Sequence, residues 1–544
     1  MLKLLGKFEI KQNESVPQVL KIAKEGPGIK ETEKYFYHQD ADGKVDWVVS
    51  RVCDHAGGRL CLANNSKAVC PLHHWELDLN TLKYTNGAGA KEKLAFKQNG
   101  ELQVEDFSKS LTFKRFTTRS KNLTMRFLAH ASVAFECNGY SIVTDPWLLG
   151  PCFILGWWHK VPPKKDALDI LKSANAIYIS HNHPDHMHEE TLKYVSRDAL
   201  IITPAFKDNA TCYYLEKWGF KNVQALQFNN IYQLAEGIEV SILQSGDFRN
   251  DSGLFISMGG KRVLLSVDSN ILNNLVLPEN IDLLCCSFAG GASGYPLCWE
   301  MYSEAKTDIV LRNKTRNILQ QVELHINAAR PKAFMPYAGF FTEANPADRY
   351  ILDHNQKNSV SDVEAMVTKK FPDVQFIDPI WHDRVQLKDD GLDLGSVDLE
   401  SLYQVDSAYV AKYVEAYKAQ YSDFSTQELE EYFSRQTFRS QLTLYLQPTD
   451  ENCKPEGTGL VMHFSNGEIE TGVEPATLED LYQKAEASLE NRHLFIKVRK
   501  YALAYVVRNS LSWEDIAIGF QAKFKRKPDI YNADFWFYFS NQAR

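Results

Sequence analysis

The sequence predicts a multidomain α+β chain in three parts. Residues 1–118 read as a small antiparallel β domain, 119–390 as a layered α/β sandwich, and 391–544 as a mostly helical unit. Three observations carry this division. The first part is built of short strand patterns and tight turns, the second alternates strands and helices with polar motifs at strand ends, and the third turns to helical periodicity. In the first part, 47–53 is a strand and Ala56-Gly57-Gly58 a turn. In the second, 125–128 and 133–136 lead through the Asn138-Gly139 turn into 141–144, a helical stretch near 166–173 precedes the strand 176–180, and 254–258 pairs with 262–266 around Gly259-Gly260. In the third, helices are expected over 406–421, 426–438 and 478–489, interrupted by a hairpin of 460–464 and 468–470; the aromatic run 535–539 reads as packing.

Composition bounds the function. The chain has 544 residues, 44% apolar and 24% charged, which is ordinary for a globular protein. A net charge of −8 argues against general nucleic-acid binding, which needs a broad basic surface. No apolar run approaches the roughly 20 residues that cross a bilayer, and the start 1–7 is too short for a signal peptide. The ten cysteines show no disulfide framework, and Cys285-Cys286 lie in an apolar run as small buried residues do. A reduced, cytoplasmic setting is the expectation.

Two motifs carry chemistry. Cys53-Asp-His55 and Cys70-Pro-Leu-His73 place one thiolate and one imidazole on each of two loops. That spacing suits a Rieske [2Fe–2S] cluster, with both sulfurs on one iron and both histidines on the other. A structural zinc ion on two cysteines and two histidines is the alternative, although zinc fingers usually pair like ligands. Downstream, His181-Asn-His183-Pro-Asp185-His186 leaves a buried strand with four ligands in six residues, the metal cradle of the metallo-β-lactamase fold. His181 and His183 would hold one ion, and Asp185 and His186 would face a second. His188 is expected at the surface, and His130 and Asp145 beside the ligands or the substrate. A zinc hydrolase of this fold adds later histidines, but the next one here is His325, inside a helical pattern. The strand ends offer Asp247, Asp268 and Glu343 instead, an oxygen-rich set that favours iron or manganese, here one or two non-haem iron ions. The glycine loop 290–294 either brings backbone N–H groups to a phosphate or carboxylate or is a tight turn. Arg249, Arg312 and Arg349 are candidate anion clamps.

Taken together these residues resemble the CMP-N-acetylneuraminate hydroxylase family. The likeness includes Asp145-Pro-Trp-Leu-Leu-Gly-Pro151, Gly156-Trp-Trp158, Tyr178-Ile-Ser-His-Asn-His-Pro-Asp-His186, Phe288-Ala-Gly-Gly-Ala-Ser-Gly-Tyr-Pro296, Pro336-Tyr-Ala-Gly-Phe340, Ile518-Gly-Phe-Gln521 and Pro528-Asp-Ile-Tyr531. It implies a Rieske domain on a metallo-β-lactamase-like domain. It further implies an iron-dependent monooxygenase acting on a CMP-activated sialic acid, with electrons delivered from NADH through cytochrome b5. Residues 153–155 and 296–300 depart from the family, and such loops often set substrate choice. Two other readings stand beside it. One is a Rieske-linked oxygenase of another biosynthetic substrate, fed by a ferredoxin. The other is a two-metal hydrolase of a phosphodiester or lactone with a redox-sensing cluster.

Overall fold

The computed structural model describes all residues except 1, 14–17, 22–25, 55–56, 72–74, 87–88, 106–108, 114–121, 248, 396–399, 475, 489 and 541–544. Its centre is a pair of eight-stranded sheets packed face to face. One runs Val223–Leu226, Leu200–Pro204, Ala176–Tyr178, Tyr140–Thr144, Ser132–Cys137, Leu123–Ala129, Arg384–Lys388 and Gly391–Leu394. The other runs Lys3–Lys7, Asn230–Ala235, Ile238–Gln244, Ser252–Met258, Lys261–Leu265, Leu283–Cys286, Ala333–Pro336 and Gln375–Phe376. Their central strands are buried on both faces, as with the BBBB pattern of Leu283–Cys286, so these segments are continuously apolar rather than alternating. A single core fills the space between the sheets, from Leu123, Phe127 and Tyr178 to Phe255, Leu264 and Leu284.

Helices cover both outer faces. Ala167–Ser173 and Ala210–Lys217 cover the first sheet through Leu171, Tyr214 and Leu215. Glu304–Ala329 and Val360–Lys370 cover the second through Val322, Ile326, Val363 and Val367. Ser303 and Ser359 cap these last two helices by accepting from Lys306 N and Asp362 N. The expected αββα sandwich is therefore present, with one addition: Lys3–Lys7, from the chain start, pairs antiparallel with Asn230–Ala235 as an edge strand.

The described strands of the N-terminal part pair antiparallel with one another, as expected, while Lys109–Thr112 also pairs parallel with Leu277–Pro278 of the sandwich. Gly28–Glu31, Tyr35–Gln39 and Val45–Ser50 form one sheet, and Cys61–Asn64, Lys67–Val69, Glu76–Asp78 and Lys83–Tyr84 form a ladder of hairpins. The C-terminal part is less helical than its periodicity suggests. The helices Ser407–Gln420, Thr426–Ser434 and Leu478–Lys484 fall where expected, and so does the hairpin Gly459–Ser465/Glu468–Glu474. That hairpin, however, is one edge of a five-stranded sheet completed by Leu442–Thr449, His493–Arg499 and Ala522–Lys527. The last strands join by long connections, which local periodicity does not register.

This unit shares a core with the sandwich. Trp147, Phe153, Trp157 and Trp158 pack with Tyr432, Phe433, Trp513 and Phe539. Two glycines meet at the seam. A Cβ on Gly156 would lie 2.2 Å from the carbonyl oxygen of Gly519, and one on Gly519 would lie 2.1 Å from that of Phe153. Trp157 Nε1 donates to the Ile518 carbonyl at 3.2 Å alongside them. Among the described residues no helix is long and apolar enough to cross a membrane.

Candidate metal centre

One edge of the sandwich collects the chemistry, at the ends of parallel and neighbouring strands. The first sheet delivers His130 after Leu123–Ala129, Asp145 after Tyr140–Thr144, and 180–186 after Ala176–Tyr178. The second delivers 247–251 between two strands and Asp268 just past Lys261–Leu265. Three overlapping groups could each hold an ion: His181, His183 and Asp251; His130, Asp185 and His186; His181, His186 and Asp268. The ligand-bearing atoms are close. His181 Nε2 is 2.8 Å from His183 Nδ1 and 3.6 Å from Asp251 Oδ1. His186 Nε2 is 3.2 Å from Asp185 Oδ2 and 3.4 Å from Asp268 Oδ2, and His130 Nε2 is 3.2 Å from the same Asp185 oxygen.

The donors fit a cation. Asp185 Oδ1 is buried with neither a hydrogen-bond partner nor an ion pair, a costly arrangement unless an ion completes it. Burial depresses His181 well below the usual imidazole range, and the neighbouring His186 and His183 add to this, leaving a neutral ring suited to ligation. Burial opposes the charges on Asp185 and His186, yet their mutual attraction outweighs it, holding the carboxyl well below and the imidazole well above their ordinary values. Burial also pushes Asp251 up to about 6, against the pull of the Arg249 guanidinium.

A surrounding set of groups aims the ligands. Ser180 Oγ pairs with His181 Nδ1 at 2.9 Å, Asp145 Oδ2 lies 3.4 Å from His186 Nδ1, and Glu514 Oε2 lies 3.6 Å from His183 Nε2. Asp145 Oδ1 itself accepts from Ser180 N at 2.8 Å. The backbone is bent to make these approaches: His130, Asp145 and Val267 have φ of 41°, 41° and 52°. A β-branched residue such as Val267 rarely adopts this region, and such strain costs about 1–3 kcal/mol per residue. It is held by Val267 N donating to Tyr337 Oη at 3.0 Å and by Ser132 Oγ donating to the Asp145 carbonyl at 2.7 Å.

The expected ligands His181, His183, Asp185, His186 and Asp268 are thus brought together. Asp247 and Glu343 are not in any of the three groups. Asp247 pairs with Arg249 at 2.8 Å, and Glu343 pairs with Lys357 at 2.7 Å and accepts from Asn355 at 2.9 Å. Asp251, four residues beyond Asp247, takes the position expected of it. The loop between two strands offers both carboxylates, and only its folded path selects one. Glu514 was not anticipated at all, since it arrives from the far end of the chain. His188 is not on the surface: it is 6% exposed, accepts from Thr191 N as a helix cap, and packs against the Pro151 carbonyl at 3.3 Å. Of the arginines, Arg249 lies in the cleft between Asp247 and Asp251, whereas Arg349 is at the surface with Asp353.

The cysteine motif lies at two loops of the N-terminal part. Cys53 and Cys70 are fully buried in one apolar cluster with Trp47, Leu60, Leu77 and Tyr84. Tight turns hold them: Cys53 N donates to Gly58 O and Cys70 N to Trp75 O, both at 2.7 Å. Burial, then the neighbouring Cys53 and Asp54, push the Tyr84 hydroxyl up, and Trp75 packs edge-on to that ring at 5.1 Å. His55 and His73 lie outside the described residues. Cys53 and Cys70 are thus buried members of one apolar cluster. The loop after Cys53 meets the sandwich. A Cβ on Gly57 would meet Ile271 Cγ2 at 2.5 Å, and Arg59 N donates to Asn317 Oδ1 at 3.1 Å.

Residues 124–290 match the beta-lactamase superfamily domain, in agreement with the sandwich and its cradle. Along the chain the similarity is to cytidine monophosphate-N-acetylneuraminic acid hydroxylases. That of Danio rerio is 27% identical over 523 residues, covering 90% of this chain and 86% of its own. That of Mus musculus is 27% identical over 524 residues, covering 90% and 88%. That of Xenopus laevis is 28% identical over 520 residues, covering 90% and 86%. Among solved structures, CmlA, a diiron beta-hydroxylase from Streptomyces venezuelae, is 18% identical, covers 50% of this chain and 55% of its own, and has a TM-score of 0.35. The resemblance read from the motifs therefore extends over nine-tenths of the chain.

Proposed function

We propose that this chain is an iron-dependent monooxygenase that hydroxylates the N-acetyl methyl group of a CMP-activated sialic acid. Cys53, His55, Cys70 and His73 would hold the Rieske cluster, and His181, His183, Asp185, His186, Asp251 and Asp268, with His130 beside them, would hold one or two non-haem iron ions. The observation that carries this reading is the contact between the segments flanking the two sites: Gly57, two residues past His55, packs on Ile271, three residues past Asp268. In this reading an electron entering at the thiols passes through that contact to the carboxylate-rich centre. The similarity along the chain to hydroxylases of this substrate supports the same reading.

The iron groups would supply one-electron chemistry toward dioxygen. In net balance, one methyl C–H becomes C–OH, the second oxygen atom leaves as water, and two electrons and two protons are consumed. The protein's own residues bind, orient and dry the site. Glu514 and Asp145 fix the rings of His183 and His186 from behind. Arg249 offsets the charge of Asp247 and Asp251, with which it pairs at 2.8 and 3.2 Å. Ser512, Glu514, Tyr531 and Trp536 of the C-terminal unit line the cleft beside His181 and His183, restricting water where a C–H bond must be attacked. The electron donor would be cytochrome b5 or a ferredoxin with its NAD(P)H reductase, in the cytoplasm.

The test is oxygen uptake with chemical reductant and CMP-N-acetylneuraminate, with the product weighed by mass spectrometry and the reduced protein examined by EPR. A rhombic Rieske signal, additional iron and a gain of one oxygen atom drawn from labelled O₂ are expected. Turnover that persists anaerobically with zinc would replace this reading with a two-metal hydrolase. Uptake only with other substrates would retain the oxygenase and discard the sialic acid.

A further inference from the structure

Two cavities adjoin the metal cleft, and charge tells them apart. The larger, about 470 Å³, reaches from Asn182 and Pro184 toward the tyrosines of the C-terminal unit, and carries Glu189 and Glu190 against Lys193. A phosphate-bearing substrate would enter it against like charge. The smaller, about 100 Å³, is walled by Tyr295, Trp299, Phe524, Tyr531 and Trp536. Tyr531, Trp536 and Glu514 line both this cavity and the metal cleft, so the two spaces share a wall.

The cation lining the smaller cavity, Arg526, is already paired with Asp529, and a lysine lies behind the cavity's glycine-loop edge. Lys314 Nζ donates to Ser293 Oγ at 3.2 Å and to the Tyr295 carbonyl at 2.7 Å, and both of those residues line the cavity. Lys306 and Lys357 are paired with Asp529 and Glu343, but among the described residues no carboxylate forms an ion pair with Lys314. Burial pushes its ammonium down to about 8. A cation held among neutral acceptors in an apolar setting gains by receiving an anion. Flat aromatic walls with a cation at one edge match a nucleobase joined to a phosphate.

Resting on the hydroxylase reading above, we propose that this cavity is the nucleotide subsite. The pyrimidine ring lies among the aromatic walls, the phosphate sits at the Ser293 edge beside Lys314, and the sugar extends past Tyr531 and Trp536 toward the metal cleft. Neither the cradle nor the acidic cavity would then read the CMP handle.

Calorimetric binding of cytidine monophosphate and of cytidine to the full, iron-loaded chain tests this. Ile518→Phe, which fills the cavity, should weaken both ligands at least tenfold. Lys314→Met should weaken the nucleotide at least tenfold and the nucleoside less than twofold, and Lys314→Arg should restore most of the loss. Glu189→Gln, in the acidic cavity, should change neither. The subsite is overturned if the wild-type chain does not bind the nucleotide, if Ile518→Phe leaves its affinity intact, or if Lys314→Met weakens both ligands equally. Product formation from CMP-N-acetylneuraminate is scored separately. Hydroxylation with nucleotide affinity indifferent to Ile518 and Lys314 removes the subsite and keeps the reaction. The expected binding pattern without hydroxylation does the reverse.

Discussion

At the scale of single residues, the centre depends on groups that touch no metal. His183 offers Nδ1 toward His181 and Asp251, while its Nε2 faces Glu514. Burial would keep that imidazole neutral, but the Glu514 carboxylate outweighs it and lifts the ring to about 9. An acceptor behind the ring keeps one proton on Nε2, so that an ion at Nδ1 would have to displace only the other. Glu514→Gln should therefore lower metal affinity by about 10- to 100-fold while leaving saturating stoichiometry unchanged, read by competition with a chelator. Unchanged affinity would mean that Glu514 only lines the cleft. The positive φ values of His130, Asp145 and Val267 belong to the same logic. Each turns a strand end sharply; Val267 N donating to Tyr337 Oη and Ser132 Oγ donating to the Asp145 carbonyl hold two of these turns.

At the scale of elements, the decisive contact is between two loops. Gly57 holds φ of 68° and sits where any Cβ would strike Ile271, so the loop carrying Cys53 can seat against the segment after Asp268 only with glycine there. Gly57→Ala should push this loop away and slow electron passage from the cysteine site to the iron centre by at least tenfold in stopped-flow reoxidation. Reductive titration of the cluster itself should be unchanged. Ile271→Ala in the same chain opens the space and should recover much of the rate, although the φ penalty of about 1 kcal/mol stays. Equal rates in all three proteins would show that electrons do not pass this way. The segment itself is anchored from the helix Glu304–Ala329, where Leu272 N donates to His325 Nε2 at 3.2 Å.

At the scale of the whole molecule, two buried histidines tie acid stability to the seams between units. His325 Nδ1 donates to Gln321 O at 2.8 Å, so its Nε2 can accept from Leu272 only while the ring is neutral. His159 likewise donates from Nε2 to the Trp147 carbonyl at 2.9 Å and accepts from Tyr403 of the C-terminal part at 2.5 Å. Burial lowers them to about 4 and about 3 from an ordinary 6.5. Because the folded values are depressed, this stability is fully present above pH 6.5 and is lost as pH falls toward 4. His325 alone should account for about 3 kcal/mol of that loss. His325→Leu should cost about 1–3 kcal/mol at pH 7 by orphaning the Leu272 amide. It should also flatten the decline between pH 6.5 and 4, measured by urea denaturation at each pH. A slope equal to that of the wild type would assign acid lability elsewhere.

The sequence alone determined the class of fold and the heart of the site. Strand patterns of period two, apolar runs and glycine turns mark elements locally, and four ligands within 181–186 sit on one turn and need no distant partner to be recognised. The cysteine motif is equally local in sequence, with His55 and His73 outside the described residues. What only tertiary structure decided involves residues far apart in the chain. Asp251 rather than Asp247 faces the histidines because the loop turns Asp247 to Arg249. Glu343 is drawn to Lys357. His188 is buried beneath the Pro151 segment. Glu514 and the aromatic cavity reach the cleft only because the C-terminal unit closes a five-stranded sheet and docks through Gly156 and Gly519. Local pattern encodes which residues can ligate. Which of them do is set by packing, where one backbone contact at a seam redirects side chains hundreds of positions away.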